Sequence, residues 1–230
     1  MYDARLRENL GAVEERIARA RERGGGGAVT IVAVTKGHPA AAAAAARAAG
    51  LKICGENRVQ ELEEKRGALA DADIAWHLIG HLQRNKVRRA LPLFELIHSV
   101  DSLRLARELS TEAQAAGRVV DALVQVNASG EETKGGFDAA HGASPVAEVC
   151  ALPNVRVCGL MTMAPLTDDE GVVRMTFART RKLFEDCAAS TVDFHAQHLS
   201  MGMSSDFEAA IEEGATMVRL GTVLFGERER

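Results

Sequence analysis

Short apolar segments alternate with helix-like segments along the whole sequence, and this alternation constrains the fold more than any other feature. These strand-like segments span residues 29–34, 51–54, 74–79, 95–99, 119–126, 155–160, 195–199 and 217–220, and nearly all of them are apolar. Strands that alternate with helices form parallel βαβ units, and nearly continuous apolar strands indicate a sheet that helices cover. Eight successive units favour a (β/α)8 TIM barrel, an α/β fold, with an open doubly wound sheet as the alternative.

An additional helix is predicted before the first strand. Residues 6–20 place Leu6, Leu10, Val13 and Ile17 at helical spacing, and the glycine run at 24–27 ends the pattern. No Pro- or Ser-rich linker divides the rest of the chain, so we expect residues 1–230 to form one domain.

Composition excludes several classes of function. The net charge is −4 and aromatic residues make up 4%, without the basic stripe or aromatic platform that nucleic-acid binding requires. No apolar run approaches the roughly 20 residues of a membrane span, and the charged N-terminal segment does not resemble a signal peptide. The cysteines are scattered and form no metal-ligand spacing, and neither GxGxxG nor a Walker A motif is present. We therefore expect a cytoplasmic protein with reduced thiols.

Polar residues close most of the predicted strands. Functional groups of a barrel collect at the C-terminal ends of its strands, so these residues should converge on one mouth. They are Lys36, Glu56, Asn57, the segment from His77 to Gly80, Ser99, Asn127, Met161, Thr162, the segment 200–205 and the segment 219–222. The mouth of the barrel is therefore the predicted functional site.

Lys36 ends the run Val-Ala-Val-Thr-Lys, with an apolar strand leading directly into it. A lysine at the mouth is partly desolvated, which lowers its pKa and frees its amine to form an imine. The alternative interpretation is a lysine that extends from a strand end to water.

The segments after strands seven and eight predict a phosphate site. Residues 200–206 form a Gly/Ser-rich turn before a helix, in which Ser205 and Glu208 fit a capping box, and Arg219-Leu-Gly-Thr222 closes the last strand. Barrels commonly bind phosphate in these two loops. The alternative is a capped helix and an ordinary turn. Asn57 and His77 also suit structural roles, as a helix cap and a hydrogen-bonded core histidine.

A lysine amine beside a phosphate site suggests a phosphorylated aldehyde as ligand. Here the sequence resembles the pyridoxal phosphate homeostasis protein family, single-domain relatives of the alanine racemase barrel. The resemblance covers nearly the whole chain, through residues 32–36, 55–61, 76–86, 99–101, 125–127, 134–135, 159–163, 199–206 and 218–226. Gly37-His38-Pro39 follows the lysine where the family varies.

The resemblance implies pyridoxal 5'-phosphate (PLP) as cofactor, held as a Schiff base. It assigns Lys36 to the Schiff base, Ser204 with Gly221 and Thr222 to the phosphate, and Arg219 to the pyridine nitrogen. An arginine there keeps that nitrogen unprotonated and weakens the ring as an electron sink. Asn57, His77 and Met201 would line the cofactor, with Met161 and Met203 nearby.

The same resemblance favours a carrier over an enzyme. The related racemases carry a second domain and a tyrosine acid/base, whereas this sequence ends at Arg230 and its one tyrosine, Tyr2, is far in sequence from the predicted mouth. We expect a monomer that buffers PLP for vitamin B6 homeostasis and delivers it to PLP-dependent apo-enzymes. Lys134 and Lys86 are candidate secondary acceptors. The alternatives are a weak PLP-dependent amino-acid racemase and an imine-forming aldolase of sugar phosphates.

Overall fold

Eight parallel strands close into a barrel in this computed structural model, which describes residues 2–69, 73–131 and 135–227. The strands are β1 (Thr30–Val34), β2 (Ile53–Glu56), β3 (Ala75–Leu78), β4 (Leu96–Val100), β5 (Val120–Asn127), β6 (Phe137–Asp138), β7 (Val155–Met161), β8 (Phe194–Ser200) and β9 (Met217–Leu220). The ring runs β1-β2-β3-β4-β5-β7-β8-β9 and closes where β9 pairs with β1, while the two-residue β6 pairs with the end of β5. The predicted (β/α)8 barrel is confirmed.

Helices surround the barrel. They are α1 (Tyr2–Gly24), α2 (Ala40–Ala48), α3 (Val59–Ala68), α4 (Val87–Ala90), α5 (Leu103–Ala115), α6 (Ser144–Cys150), α7 (Glu170–Ser190), α8 (Phe207–Glu212) and α9 (Thr222–Phe225). Short 3-10 turns lie at Arg84–Lys86 and Ala139–His141. The predicted N-terminal helix is confirmed as α1. None of the helices in the described part of the chain combines the length and hydrophobicity that crossing a bilayer requires.

Hydrophobic side chains fill the barrel on both sides of the sheet. The larger core lies between the strands and the helices, and a smaller cluster that includes Val32, Leu123 and Met161 lies inside the ring. Successive side chains of a strand point to opposite faces, so strands buried on both faces are apolar almost throughout. All four cysteines are buried in these layers as free thiols.

The helix α1 packs against α8 and α9, the two elements that follow the last two barrel loops. Arg16 Nε lies 2.6 Å from Glu208 Oε1, and its guanidinium stacks 4.5 Å from the ring centroid of Phe207. At the C-terminal end of α1, a Cβ on Gly24 would lie 2.6 Å from the Cα of Glu212, so only glycine fits this contact. The helix thereby fixes the two predicted phosphate-binding loops from behind.

The predicted capping box at the start of α8 is wrong. The helix begins at Phe207 and has no side-chain cap. Glu208 pairs with Arg16 and Arg23 of α1 instead, and Asp206 Oδ1 accepts the main-chain N–H of Met203 at 2.5 Å. The carboxylate of Glu208 binds these two arginines of α1 and does not accept the main-chain N–H that a capping box requires.

Candidate functional site

A cavity of about 870 Å³ opens at the C-terminal ends of the barrel strands. Of the predicted site residues, those that line it are Lys36, Asn57, Ser204, Arg219, Gly221 and Thr222. They come from the loops after β1, β2 and β8 and from β9 and its loop. Because the C-terminal ends of parallel strands meet at one end of the barrel, residues almost 190 positions apart share one cavity.

Lys36 lies in the turn that follows β1. The last sheet-like contact of this segment is the hydrogen bond from Thr35 N to Gly55 O, of 3.1 Å. Gly37 then adopts a φ of 72°, a conformation in which glycine is favoured, and the chain leaves the sheet. The lysine is half-buried and lines the cavity.

A buried charged cluster lies behind this turn, between the strand ends and α3. Lys65 Nζ lies 2.6 Å from Glu56 Oε1 and 2.9 Å from Glu61 Oε1, and it donates to Thr35 O at 2.8 Å. The Thr35 hydroxyl donates to Glu56 Oε1 at 2.5 Å. Glu61 Oε1 also accepts the main-chain N–H of Gly37. Burial raises the pKa of Glu56, an effect that Lys65 and Thr35 oppose.

The loops after β8 and β9 meet at Ser204. Its hydroxyl oxygen accepts the main-chain N–H groups of Gly221 and Val223, at 3.4 and 3.3 Å. Gly202 anchors the first loop by accepting from Arg219 N at 2.9 Å. Its φ is 92°, and a Cβ there would lie 2.6 Å from the Cβ of Ala210. A hydroxyl and two N–H groups therefore converge in the part of the mouth where the sequence predicts a phosphate.

Arg219 is buried beneath this loop. One guanidinium nitrogen donates to the carbonyl oxygen and the hydroxyl of Ser200, at 2.8 and 2.7 Å, and the other donates to Thr162 O at 2.9 Å. Burial lowers the pKa of Arg219 to about 10, partly offset by Asp206. These three hydrogen bonds fix the plane of a cation at the floor of the cavity.

His77 does not line the cavity. Its Nδ1 lies 2.9 Å from His98 Nε2, and His98 Nδ1 lies 3.0 Å from the Ser200 hydroxyl. Arginine can only donate, so we assign the Ser200 hydroxyl as acceptor from Arg219 and donor to His98, which in turn donates to His77. Burial, with a smaller contribution from His198, lowers the pKa of His77 to about 3. His77 belongs to a neutral chain that supports Arg219.

The three methionines of the prediction occupy different places. Met203 lines the cavity. Met201 and Met161 are fully buried, Met201 in the outer core and Met161 in the cluster inside the ring, and neither lines the cavity. A direct contact of Met201 with a cofactor remains a prediction.

Several lining residues were not predicted as site residues. They are His38, His81, Asp101, Gln125, Gly135 and Met163. His81 Nδ1 lies 2.8 Å from Asp101 Oδ2, and Gln125 Nε2 donates to Gly135 O at 2.9 Å. His81 and Asp101 follow the adjacent strands β3 and β4, so their position after strand ends was the signal that could have identified them.

Tyr2 lies nearer to the mouth than its place in the sequence implies. Its hydroxyl is 3.3 Å from His38 Nδ1, and its ring packs edge-on against His38 and Phe225. The packing of α1 across the barrel brings residue 2 to the rim. Tyr2, although far in sequence from the predicted mouth, therefore contacts a residue that lines the cavity.

The two candidate secondary acceptors differ in position. Lys86 lines a neighbouring groove of about 620 Å³ that shares Asn57 and His81 with the cavity. Lys134 lies outside the described residues. Within residues 2–69, 73–131 and 135–227, no group of three or more His, Cys, Asp and Glu side chains is arranged to hold a metal ion.

Comparisons with known proteins identify relatives in sequence and in fold. The family model "Alanine racemase, N-terminal domain" matches residues 9–229. A pyridoxal phosphate homeostasis protein of Aquifex aeolicus is 44% identical over 224 residues, which cover 96% of this chain and 98% of the relative. The structure of PipY from Synechococcus elongatus with PLP bound has 38% identity and a TM-score of 0.84, covering 96% of this chain and all of that one.

Alanine racemase of Clostridium difficile shares the fold alone. Its TM-score is 0.79 at 17% identity, and the match covers 99% of this chain and 58% of the racemase. The sequence and fold matches together show that this chain belongs to the alanine racemase N-terminal domain family, among the pyridoxal phosphate homeostasis proteins.

Proposed function

We propose that this protein binds PLP as a Schiff base on Lys36 and buffers or delivers the cofactor without robust catalysis. The observation that carries the proposal is that Lys36, Ser204 and Arg219 line one cavity. The relatives named above support the same ligand, since one is named for PLP homeostasis and PipY binds PLP in its structure.

The donors of the cavity fit the three polar ends of PLP. A lysine amine suits the aldehyde, because amines and aldehydes form reversible Schiff bases. The Ser204 hydroxyl, whose oxygen accepts the N–H groups of Gly221 and Val223, can donate its proton to the phosphate, with Gly221 and Thr222 lining the cavity beside it. The fixed guanidinium of Arg219 suits a ring nitrogen that accepts a hydrogen bond. When bound, the cofactor supplies an electrophilic carbon, and the residues of this chain hold and orient it.

The position of Lys36 also supports reversible binding. A cavity of about 870 Å³ is near the upper end of the range for small-molecule sites, so a second amine has room to approach Lys36 and exchange with it. We infer from this a protein whose cofactor is released by amine exchange.

An absorption titration tests the proposal. Purified protein is titrated with PLP, the visible Schiff-base band is recorded, and the product is fixed with borohydride and located by peptide mass spectrometry. We expect a band and a label on Lys36, neither of which forms in Lys36→Ala. The matched control is Lys52→Ala, which removes an exposed lysine that does not line the cavity. No band in the unmodified protein would contradict the proposal, and binding of sugar phosphates would then be measured for the aldolase alternative.

The second candidate is a weak PLP-dependent racemase, which the His81–Asp101 pair favours because a histidine paired with a carboxylate can move protons. The test is loss of optical activity of L-alanine by the PLP-loaded protein, compared with His81→Ala. A carrier shows no turnover above that of free PLP. Turnover that His81→Ala abolishes would assign an enzyme instead.

We further propose that the protein works in the cytoplasm as a single-domain monomer that passes PLP to apo-enzymes. Light scattering after gel filtration measures its mass, for which 24.6 kDa is expected. Transfer is measured by mixing the loaded protein with a PLP-dependent apo-enzyme. Direct transfer predicts reactivation faster than PLP dissociates from the carrier, whereas release into solution limits reactivation to that dissociation rate.

A further inference from the structure

One turn of α3 holds the main chain on both sides of Lys36. Lys65 Nζ binds the carbonyl oxygen of Thr35, which belongs to the peptide group before Lys36. Glu61 Oε1 accepts the N–H of Gly37, which belongs to the peptide group after it. Glu61 and Lys65 are four residues apart on the helix and bind each other at 2.9 Å. The two peptide planes that define φ and ψ of Lys36 are thus tied to one ion pair.

The cluster is costly to bury. Glu56 is fully buried and its Oε2 has no hydrogen-bond partner among the described residues, while Lys65 is 6% exposed. Buried ion pairs are commonly no more stabilising than apolar residues of similar size, because desolvation offsets their attraction. Stability alone therefore does not explain two carboxylates and an ammonium at this position.

The geometry of the cluster gives a better explanation. The strand β1 ends at Val34, and the turn at Gly37 carries the chain away from the sheet directly after Lys36. Burial opposes ionisation of Glu61, but the Gly37 N–H and Lys65 hold its pKa below the ordinary value, so the carboxylate is charged when it accepts from Gly37. A charged acceptor and a charged donor make strong, directional hydrogen bonds to the main chain.

We propose that Glu61 and Lys65, supported by Glu56, are positioning residues for Lys36 that fix the direction in which its side chain enters the cavity. This inference rests on the proposed Schiff base and deepens it. The residues act through the main chain and do not line the cavity themselves. Misplacing a reacting atom by about 1 Å can slow a reaction about a hundredfold. The rate gained by positioning one lysine can therefore offset the cost of burying a charged cluster.

The test compares Glu61→Ala with Glu63→Ala in the full-length protein. Both changes replace glutamate by a strong helix former in α3, but Glu63 pairs with Arg89, and among the described residues no hydrogen bond or ion pair joins it to the Lys36 turn. Two readouts are measured: the rate at which the visible band forms after PLP is added, and the hydrogen exchange of the Gly37 amide in cofactor-free protein by NMR.

We expect Glu61→Ala to slow band formation about tenfold and to speed Gly37 exchange by a similar factor, with Glu63→Ala unchanged. Glu61→Gln keeps an oxygen that can accept from Gly37, and we expect it to recover most of the rate. Equal rates and equal Gly37 exchange in Glu61→Ala and the unmodified protein would overturn the proposal.

Lys65 is tested by the double variant Glu56→Gln/Lys65→Met, since Lys65→Met alone leaves a buried carboxylate without its cation. We expect the double variant to fold and to form the band slowly, as Glu61→Ala does. A folded double variant with the rate of the unmodified protein would contradict a role for Lys65. If the unmodified protein forms no band, the proposed function fails, and Gly37 exchange in the cofactor-free variants still decides whether the cluster orders this turn.

Discussion

Gly159 makes room for the carbonyl oxygen of His198 on the neighbouring strand. A Cβ on residue 159 would lie 1.8 Å from that oxygen, and the φ of Gly159 is 144°. The strands β7 and β8 change register just before this contact. The close approach therefore lies at the register shift between β7 and β8.

We predict that Gly159→Ala lowers the free energy of unfolding by at least about 3 kcal/mol, because strain and a main-chain clash add together. Urea denaturation measures the change. The control is Gly117→Ala, at a positive φ of 62° but with open space around its Cβ, where about 1 kcal/mol is expected. Similar losses for the two variants would show that the clash relaxes at little cost.

Ser204→Ala is expected to discriminate between the phosphorylated and unphosphorylated forms of the ligand. The hydroxyl oxygen accepts the N–H groups of Gly221 and Val223 in the predicted phosphate site. In the proposed binding mode the hydroxyl does not contact the aldehyde, which reacts with Lys36. We predict about a tenfold loss of affinity for PLP, as for one charge-assisted hydrogen bond, and little change for pyridoxal. Titration of both aldehydes measures the ratio, and equal losses would remove Ser204 from the phosphate site.

The His77–His98 pair predicts a loss of stability in mild acid. The pKa of His77 is lowered from 6.5 to about 3 in the folded protein. Between about pH 3 and pH 6.5 the unfolded state binds more protons at His77 than the folded state does. The contribution of His77 to the free energy of unfolding is therefore complete above pH 6.5 and falls as the pH drops. We expect the contribution of His77 to the slope of unfolding free energy against pH to approach about 1.4 kcal/mol per pH unit near pH 5.

Urea denaturation from about pH 7 to about pH 5 measures this slope in the unmodified protein and in His77→Leu. The variant lacks the titrating group, so its stability should depend less on pH even if it is less stable throughout. Parallel pH profiles would mean that His77 titrates normally in the folded protein.

Tyr2 is expected to support the rim through packing more than through its hydroxyl. Its ring contacts His38 and Phe225 edge-on, whereas its hydrogen bond to His38 is long, at 3.3 Å. We predict that Tyr2→Ala costs about 1–2 kcal/mol of unfolding free energy and that Tyr2→Phe costs less than about half of that. Thermal or urea unfolding separates the two. Tyr2→Phe should also form the Schiff base normally, and loss of the band in this variant would give the hydroxyl a direct role.

Much of the fold and part of the site could be predicted because both depend on local patterns. Apolar runs of strand length identified the ring, and parallel strands place the residues after them at one end. Lys36, Ser204 and Arg219 were found in this way, since each closes or follows a strand.

The rest depends on contacts between distant parts of the chain. His98 lies in an apolar run, and its partner Ser200, 102 residues away, is set by how the ring closes. Lys65 has the sequence context of a solvent-facing helix residue, yet the packing of α3 on β2 buries it against Glu56. Tyr2 reaches the mouth only because α1 packs across α8 and α9. No periodicity in the sequence encodes these three contacts.

The burial of the cysteines has a consequence for a protein that carries an aldehyde. Burial raises the pKa of Cys54 and Cys150 to about 12 and that of Cys187 to about 11, and Cys158 shifts in the same direction. The thiolate is the reactive form of cysteine, and sulfur nucleophiles add readily to aldehydes. Because its four thiols are buried and protonated, the folded chain presents a lysine amine to the aldehyde and no cysteine thiolate. The proposed carrier is thereby protected from capturing the aldehyde on its own cysteines, and exchange of the aldehyde stays between amines.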